Sequence, residues 1–209
     1  MIHRFGVPST GATPDGANPA SELVLIGGEL QGTTLNGGLQ GDGAAYVFVR
    51  NGTTWSQQAF LKASNTDGAD LFGASLGISG DTVVVGAPYE DSNATGVNGN
   101  QADNSFPYAG AAYVFNRTGV TWTQSAYLKA SNTTSDCSFG HSVAVSGGTV
   151  IVGAPNERGG SSGVNGNQTA PGGSNTGAAY IYQNDGGTWS QQAYLKASNS
   201  GGNDYFGFT

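Results

Sequence analysis

Oxygen-bearing side chains gather at two places in the chain, at spacings that suit a hard divalent cation. Glu90, Asp91, Ser92 and Asn93 follow Gly86-Ala87-Pro88, and Asp103 comes further on. The matching stretch 67 residues later keeps Glu157 but has Arg158 for Asp91 and Ala170 for Asp103. A second acidic run, Asn65-Thr66-Asp67-Gly68-Ala69-Asp70, puts oxygens on alternating residues around a glycine. Carboxylates and carboxamides spaced in this way can converge on one ion. Glu90, Asp91, Asn93, Asp103, Glu157, Asp67 and Asp70 are therefore the candidate metal ligands. Turn-forming Asp and Asn explain the same pattern without a metal.

Nucleophilic chemistry has less to draw on. His3 and His141 have no repeated carboxylate or nucleophile partner, and Cys137, between Asp136 and Ser138, has no basic neighbour to lower its pKa. We expect Cys137 to be a plain surface thiol, and no residue is assigned a catalytic role. Trp55, Trp122 and Trp189 recur at a constant interval, which points to packing between repeated units rather than to a ligand platform. Binding residues are sought instead in long polar loops, where Tyr89, Phe106 and Tyr108 stand out.

The elements that must position these groups form a repeat. Ala44 to Asn65 returns at Ala111 and again at Ala178, an offset of 67 residues each time, with 16 of 22 positions identical between the first two copies. Phe72-Gly73 and Gly86-Ala87-Pro88 return as Phe139-Gly140 and Gly153-Ala154-Pro155, and the loop motif GVNGNQ starts at both Gly96 and Gly163. Each unit predicts four short strands. In the last full copy these are Ser142 to Ser146, Thr149 to Val152, Ala178 to Tyr182 and Trp189 to Lys196, joined by Gly-rich turns and one long loop. The fourth strand should alternate, with Trp189, Gln191, Ala193 and Leu195 on one face and Ser190, Gln192, Tyr194 and Lys196 on the other. Four-stranded antiparallel units at a fixed period imply an all-β protein built of β-propeller blades.

The blade boundaries read as 1–71, 72–138 and 139–205, with 206–209 opening a further unit. The first unit keeps register at both flanks, but its interior, 7–42, loses the pattern: Pro19, Ala20 and Ser21 stand where Gly86-Ala87-Pro88 would be. Either compensating frameshifts or decay of this blade explains it, and Leu23 to Ile26 offer a displaced strand. About three units do not close a ring of four to eight blades. The propeller is expected to be incomplete, with open blade edges that allow self-association.

Composition narrows the function classes. Glycine makes up 36 of 209 residues, the charged fraction is 10%, and the net charge is −7. An acidic chain without a basic patch argues against nucleic acid as a partner, and no apolar run is long enough for a spanning helix. The N-terminal residues show no signal peptide.

Phe-Gly followed by Gly-Ala-Pro resembles the FG-GAP repeat, the blade unit of the integrin α N-terminal propeller. The continuation into Ala-Tyr-Val-Phe and Trp-x-Gln-x-x-Tyr-Leu-Lys-Ala-Ser is similar to bacterial surface and secreted FG-GAP proteins. The resemblance implies a non-enzymatic binding or adhesion module, extracellular or at the cell surface, with a protein or glycan ligand and calcium as the cofactor. The Asp-x-Asp-x-Asp-Gly-x-x-Asp calcium loop of integrin blades is absent here. The propeller portion of a secreted hydrolase and a structural spacer are the alternatives.

Overall fold

The computed structural model describes residues 24–26, 29–34 and 42–209. Every regular element among them is a β-strand. The first antiparallel sheet holds β1 (Val24–Ile26), β2 (Glu29–Thr34), β3 (Ala44–Asn51) and β4 (Thr54–Leu61) in that spatial order. The second holds β5 (Ser75–Ser79), β6 (Thr82–Ala87), β7 (Ala111–Thr118) and β8 (Thr121–Leu128) in order. The third contains β9 (Ser142–Ser146), β10 (Thr149–Ala154), β11 (Gly163–Val164), β12 (Ala178–Asp185) and β13 (Thr188–Lys196), arranged β9-β10-β12-β13 with β11 beyond β13. Together they are three blades of an incomplete β-propeller. No helix among the described residues is long and apolar enough to cross a membrane.

Glycine-containing two-residue turns close the hairpins as expected, for example Gly147-Gly148 between Ser146 and Thr149. The central strands are apolar throughout because both of their faces are covered. Val83 and Val85 of β6 join a core against the first blade, while Val84 joins a second core against the third. Each core has an aromatic centre taken from the Phe-Gly motif. Phe72 meets Tyr113 edge-on at 5.4 Å, and Phe139 meets Tyr180 edge-on at 5.3 Å.

One expectation about the strands needs correction. The fourth strand does not alternate throughout, because a bulge leaves Gln192 without a partner between Ala193, opposite Ile181, and Gln191, opposite Tyr182. An extra residue moves every later side chain to the other face. Trp189 is thus buried in the upper half of the strand, and Tyr194 and Lys196 are buried in the lower half. The same bulge falls at Gln58 and Ser125.

The first blade keeps a displaced strand as expected, and its inner hairpin has slid along the chain. Most of 7–42 lies outside the described residues. Within it, the displaced strand expected over Leu23 to Ile26 appears as β1, Val24–Ile26, paired with β2. Thr34 stands opposite Ala44, whereas Ala87 stands opposite Ala111, so the connection shrinks from 88–110 in the second blade to 35–43 in the first. Slippage of the hairpin toward β3 preserves the unit length despite the lost pattern.

Candidate functional site at the rim between blades

The Phe-Gly and Gly-Ala-Pro motifs meet across the blade joints. Ser75 Oγ of the second blade donates to the Gly140 carbonyl at 2.8 Å, and Ser142 Oγ donates to the Gly207 carbonyl at 2.8 Å. Backbone bonds from Ser138 to Tyr108 (3.0 Å) and from Phe139 to Ala109 (3.1 Å) continue the joint toward the rim. A Cβ on Gly86 would stand 1.9 Å from the Gly140 oxygen, so only glycine allows this approach. Gly140 itself has φ +88 and packs on the Ala111 carbonyl.

Two of the three recurring tryptophans, Trp122 and Trp189, pack toward the preceding blade, as expected of residues that recur between units. Trp122 Nε1 donates to Gln58 Oε1 at 2.8 Å, with the Arg117 guanidinium 5.2 Å from the ring. Trp189 lies in the core between the second and third blades. Trp55 is more exposed, with Arg50 6.0 Å from its ring.

The seven candidate metal ligands do not share one site. Glu90 is buried and its carboxylate is saturated by protein donors. Lys129 Nζ (2.8 Å) and Ser92 N (3.1 Å) donate to Oε2, and Tyr127 OH (2.8 Å) and Asn65 Nδ2 (3.0 Å) donate to Oε1. Glu157 repeats the arrangement: Lys196 Nζ lies 2.6 Å from Oε2, while Tyr194 OH, Asn132 Nδ2 and Gly159 N reach Oε1 at 3.0, 2.9 and 2.9 Å. Burial pushes the Lys129 ammonium below the usual lysine range, partly offset by Glu90. Asp103 accepts from the Ser105 hydroxyl and amide, which hold its carboxyl below the usual range. Asp67 accepts from Asn104 at 2.8 Å, Asn93 donates to Ser105 at 3.0 Å, and Asp91 Oδ1 accepts the Tyr108 amide at 2.8 Å.

Asp70 is buried near Asp67, Glu90 and Asp91, and burial followed by the Glu90 charge raises its pKa to about 7. Among the described residues no three His, Cys, Asp or Glu side chains are placed to hold one metal ion. Glu90 and Glu157, whose carboxylate oxygens already accept from protein donors, do not fit a calcium centre.

The GVNGNQ motif has a structural use instead. Asn98 exchanges backbone N and side-chain Oδ1 bonds with the Tyr127 backbone, and Asn165 does the same with Tyr194. This pins a short segment along the outer edge of the second and third blades, and in the third blade the segment is β11. Paired edges do not recruit foreign strands. Cys137 is buried, contrary to the expected surface thiol, because it lies beneath the joint ahead of Phe139. Burial pushes its thiol up, and Thr134 Oγ1 lies 2.9 Å from Sγ. His141 stacks on Phe208 with ring centroids 4.5 Å apart.

Two of the three predicted loop residues come together at the rim. Tyr89, following Pro88, and Tyr108, at the end of the long loop, place their rings 4.8 Å apart while 42% and 48% exposed. Phe106 does not join them as a ring. Its backbone bonds to Asp91 and Ala109 close the turn that delivers Tyr108. Tyr108 adopts φ 56, a left-handed conformation costly for an aromatic residue, and the Asp91 carboxylate holds its amide there. The matching residue in the third blade is Asn175, at φ 54, a type that tolerates this region.

The ring pair borders an open cleft of about 310 Å³ that crosses the joint, lined also by Asp136, Ser138 and Asn156. Sequence reasoning missed Asp136, Ser138 and Asn156. Their signal was position, since Asp136 and Ser138 precede Phe139 and Asn156 follows Pro155.

No curated protein matches the chain. The FG-GAP repeat family matches at residues 55–115 and 122–182, each match running from the fourth strand of one blade into the third strand of the next. With more than half its length matched and the two motifs meeting where Gly86 approaches Gly140 and Gly153 approaches Gly207, the chain belongs to the FG-GAP repeat family.

Proposed function

We propose that this chain is a non-enzymatic binding module, acting outside the cell or at its surface, whose ligand seats in the cleft between the second and third blades. The exposed Tyr89–Tyr108 pair carries this reading. Two large rings held in solvent, one on a backbone that costs energy to maintain, are poorly explained by packing. A sugar fits the surroundings: its apolar face stacks on the rings, and its hydroxyls exchange hydrogen bonds with Asp136, Ser138 and Asn156. Two rings with few polar partners give modest affinity per site, which suits an adhesion module that displays many copies.

The test is an oligosaccharide array probed with the wild-type chain and with Tyr89→Ala and Tyr108→Ala. We expect hits that each variant weakens at least tenfold. Binding that survives both substitutions, or binding only to proteins, would overturn the sugar reading.

A further inference from the structure

The two saturated carboxylates described above place a buried amine and a carboxamide on one acid, twice, and each pair joins successive blades. Lys129 directly follows the fourth strand of the second blade, and Asn65 follows the fourth strand of the first. Lys196 and Asn132 are the matching pair one blade on. Both donors of each pair rest on the same glutamate, Lys129 and Asn65 on Glu90, Lys196 and Asn132 on Glu157. The orientation of each carboxamide follows from its partners. Asn65 Nδ2 faces two acceptors, Glu90 Oε1 and the Gln101 carbonyl, while Oδ1 accepts the Tyr113 phenol at 2.8 Å. Asn132 is held likewise between Glu157, the Gln168 carbonyl and Tyr180 OH at 2.6 Å.

We propose that Lys129 and Asn65, and likewise Lys196 and Asn132, react to form intramolecular isopeptide bonds that tie the three blades together covalently. Amine, carboxamide and a carboxylate able to carry the proton between them meet at one glutamate in each pair. Glu90 takes a proton from the Lys129 ammonium, leaving a neutral amine. The Nζ lone pair adds to Asn65 Cγ, and the carbonyl electrons move to Oδ1, where the Tyr113 phenol stabilises the charge. Glu90 returns its proton to Nδ2, the Cγ–Nδ2 bond breaks, and ammonia departs with the second Nζ proton as ammonium. The products are one secondary amide and one ammonium ion, with Glu90 again a carboxylate, so atoms and charge balance without a co-reactant.

Burial favours the step by weakening the ammonium form of Lys129, and burial raises the pKa of Tyr113 and Tyr180, which keeps both phenols protonated as donors. Asn65 and Asn132 are only half-buried, which gives the leaving ammonia a way out. In the first blade the matching lysine, Lys62, turns instead to the Gly43 carbonyl and Asp42.

Intact-mass spectrometry of the purified chain decides the matter. Each bond removes one ammonia, about 17 Da, so the expected deficit is about 34 Da. Trypsin digestion in denaturant separates these bonds from cyclised asparagine, which has the same mass deficit. Lys129 and Lys196 should resist cleavage, and fragments 63–117, 118–158 and 159–209 should remain one branched species, while Lys62 is cut normally. Glu90→Gln should free Lys129 alone and leave the Lys196 bond, an internal control for folding. The sequence mass, or a deficit with Lys129 and Lys196 cut freely, would overturn the proposal.

Discussion

Replacing Gly86 with alanine tests whether the blade joint depends on contact between backbones. The added Cβ would lie 1.9 Å from the Gly140 oxygen, 2.3 Å from Ser75 Oγ and 2.9 Å from the Gly140 carbonyl carbon. Ordinary contact begins near 3.4 Å, so the third blade must recede by roughly 1.5 Å, a distance that interdigitated cores do not absorb without strain. Overpacking of this kind costs about 1–3 kcal/mol. The Ser75–Gly140 hydrogen bond goes with it, at about 1 kcal/mol. The expected loss is about 2–4 kcal/mol, or about 10 °C in Tm for a chain of this size.

Gly148→Ala is the matched control, since its Cβ would press only on the flexible end of the Gln183 side chain, at 3.1 Å, and meet Asn184 at ordinary contact distances of 3.4 and 3.7 Å. That substitution should change stability by less than about 0.5 kcal/mol. Urea denaturation followed by circular dichroism measures both. A Gly86→Ala loss below about 1 kcal/mol, or equal losses for the two variants, would refute the argument.

Three further outcomes follow from the same geometry. Asp70, with its pKa raised to about 7, favours folding fully below the unfolded value near 4, and that contribution is lost as pH rises toward 7. Asp70→Asn should remove this slope and stabilise the chain at pH 8 by about 1–2 kcal/mol, below the roughly 4 kcal/mol a three-unit shift allows because rim solvent screens the charge; equal melting of both proteins at pH 8 would contradict it. Asn98→Ala leaves the Tyr127 backbone amide without its carboxamide partner, and should cost about 1–2 kcal/mol and raise aggregation measured by light scattering. Adding EGTA should leave the melting temperature unchanged, because the candidate ligands already answer to protein donors; a drop of several degrees would restore a calcium site.

Repeat spacing carried the fold legibly. Phe72, Gly86 and Trp122 each return at a constant interval, and every one of them packs at a joint between blades. The bulge at Gln58, Ser125 and Gln192 was not legible, because three polar residues followed by three apolar ones keep no strict two-residue period that a bulge would visibly break, and only strand pairing shows which residue is extra.

The role of Glu90 and Glu157 was hidden for another reason. Read beside Asp91 and Asn93 they suggest a cation, but their partner is a lysine 39 residues downstream. The available signal was that Lys129 and Lys196 keep this separation in both units. The rim cleft was half legible: Tyr89 and Tyr108 stand out in polar loops, while Asp136, Ser138 and Asn156 reach it only once the next blade docks.

The most direct test of the binding site is amide chemical-shift mapping of the labelled chain during titration with an oligosaccharide selected on the array. Shifts confined to Tyr89, Tyr108, Asp136, Ser138, Asn156 and their neighbours are the predicted result. Shifts that leave these residues unmoved and cluster elsewhere on the blades would contradict it.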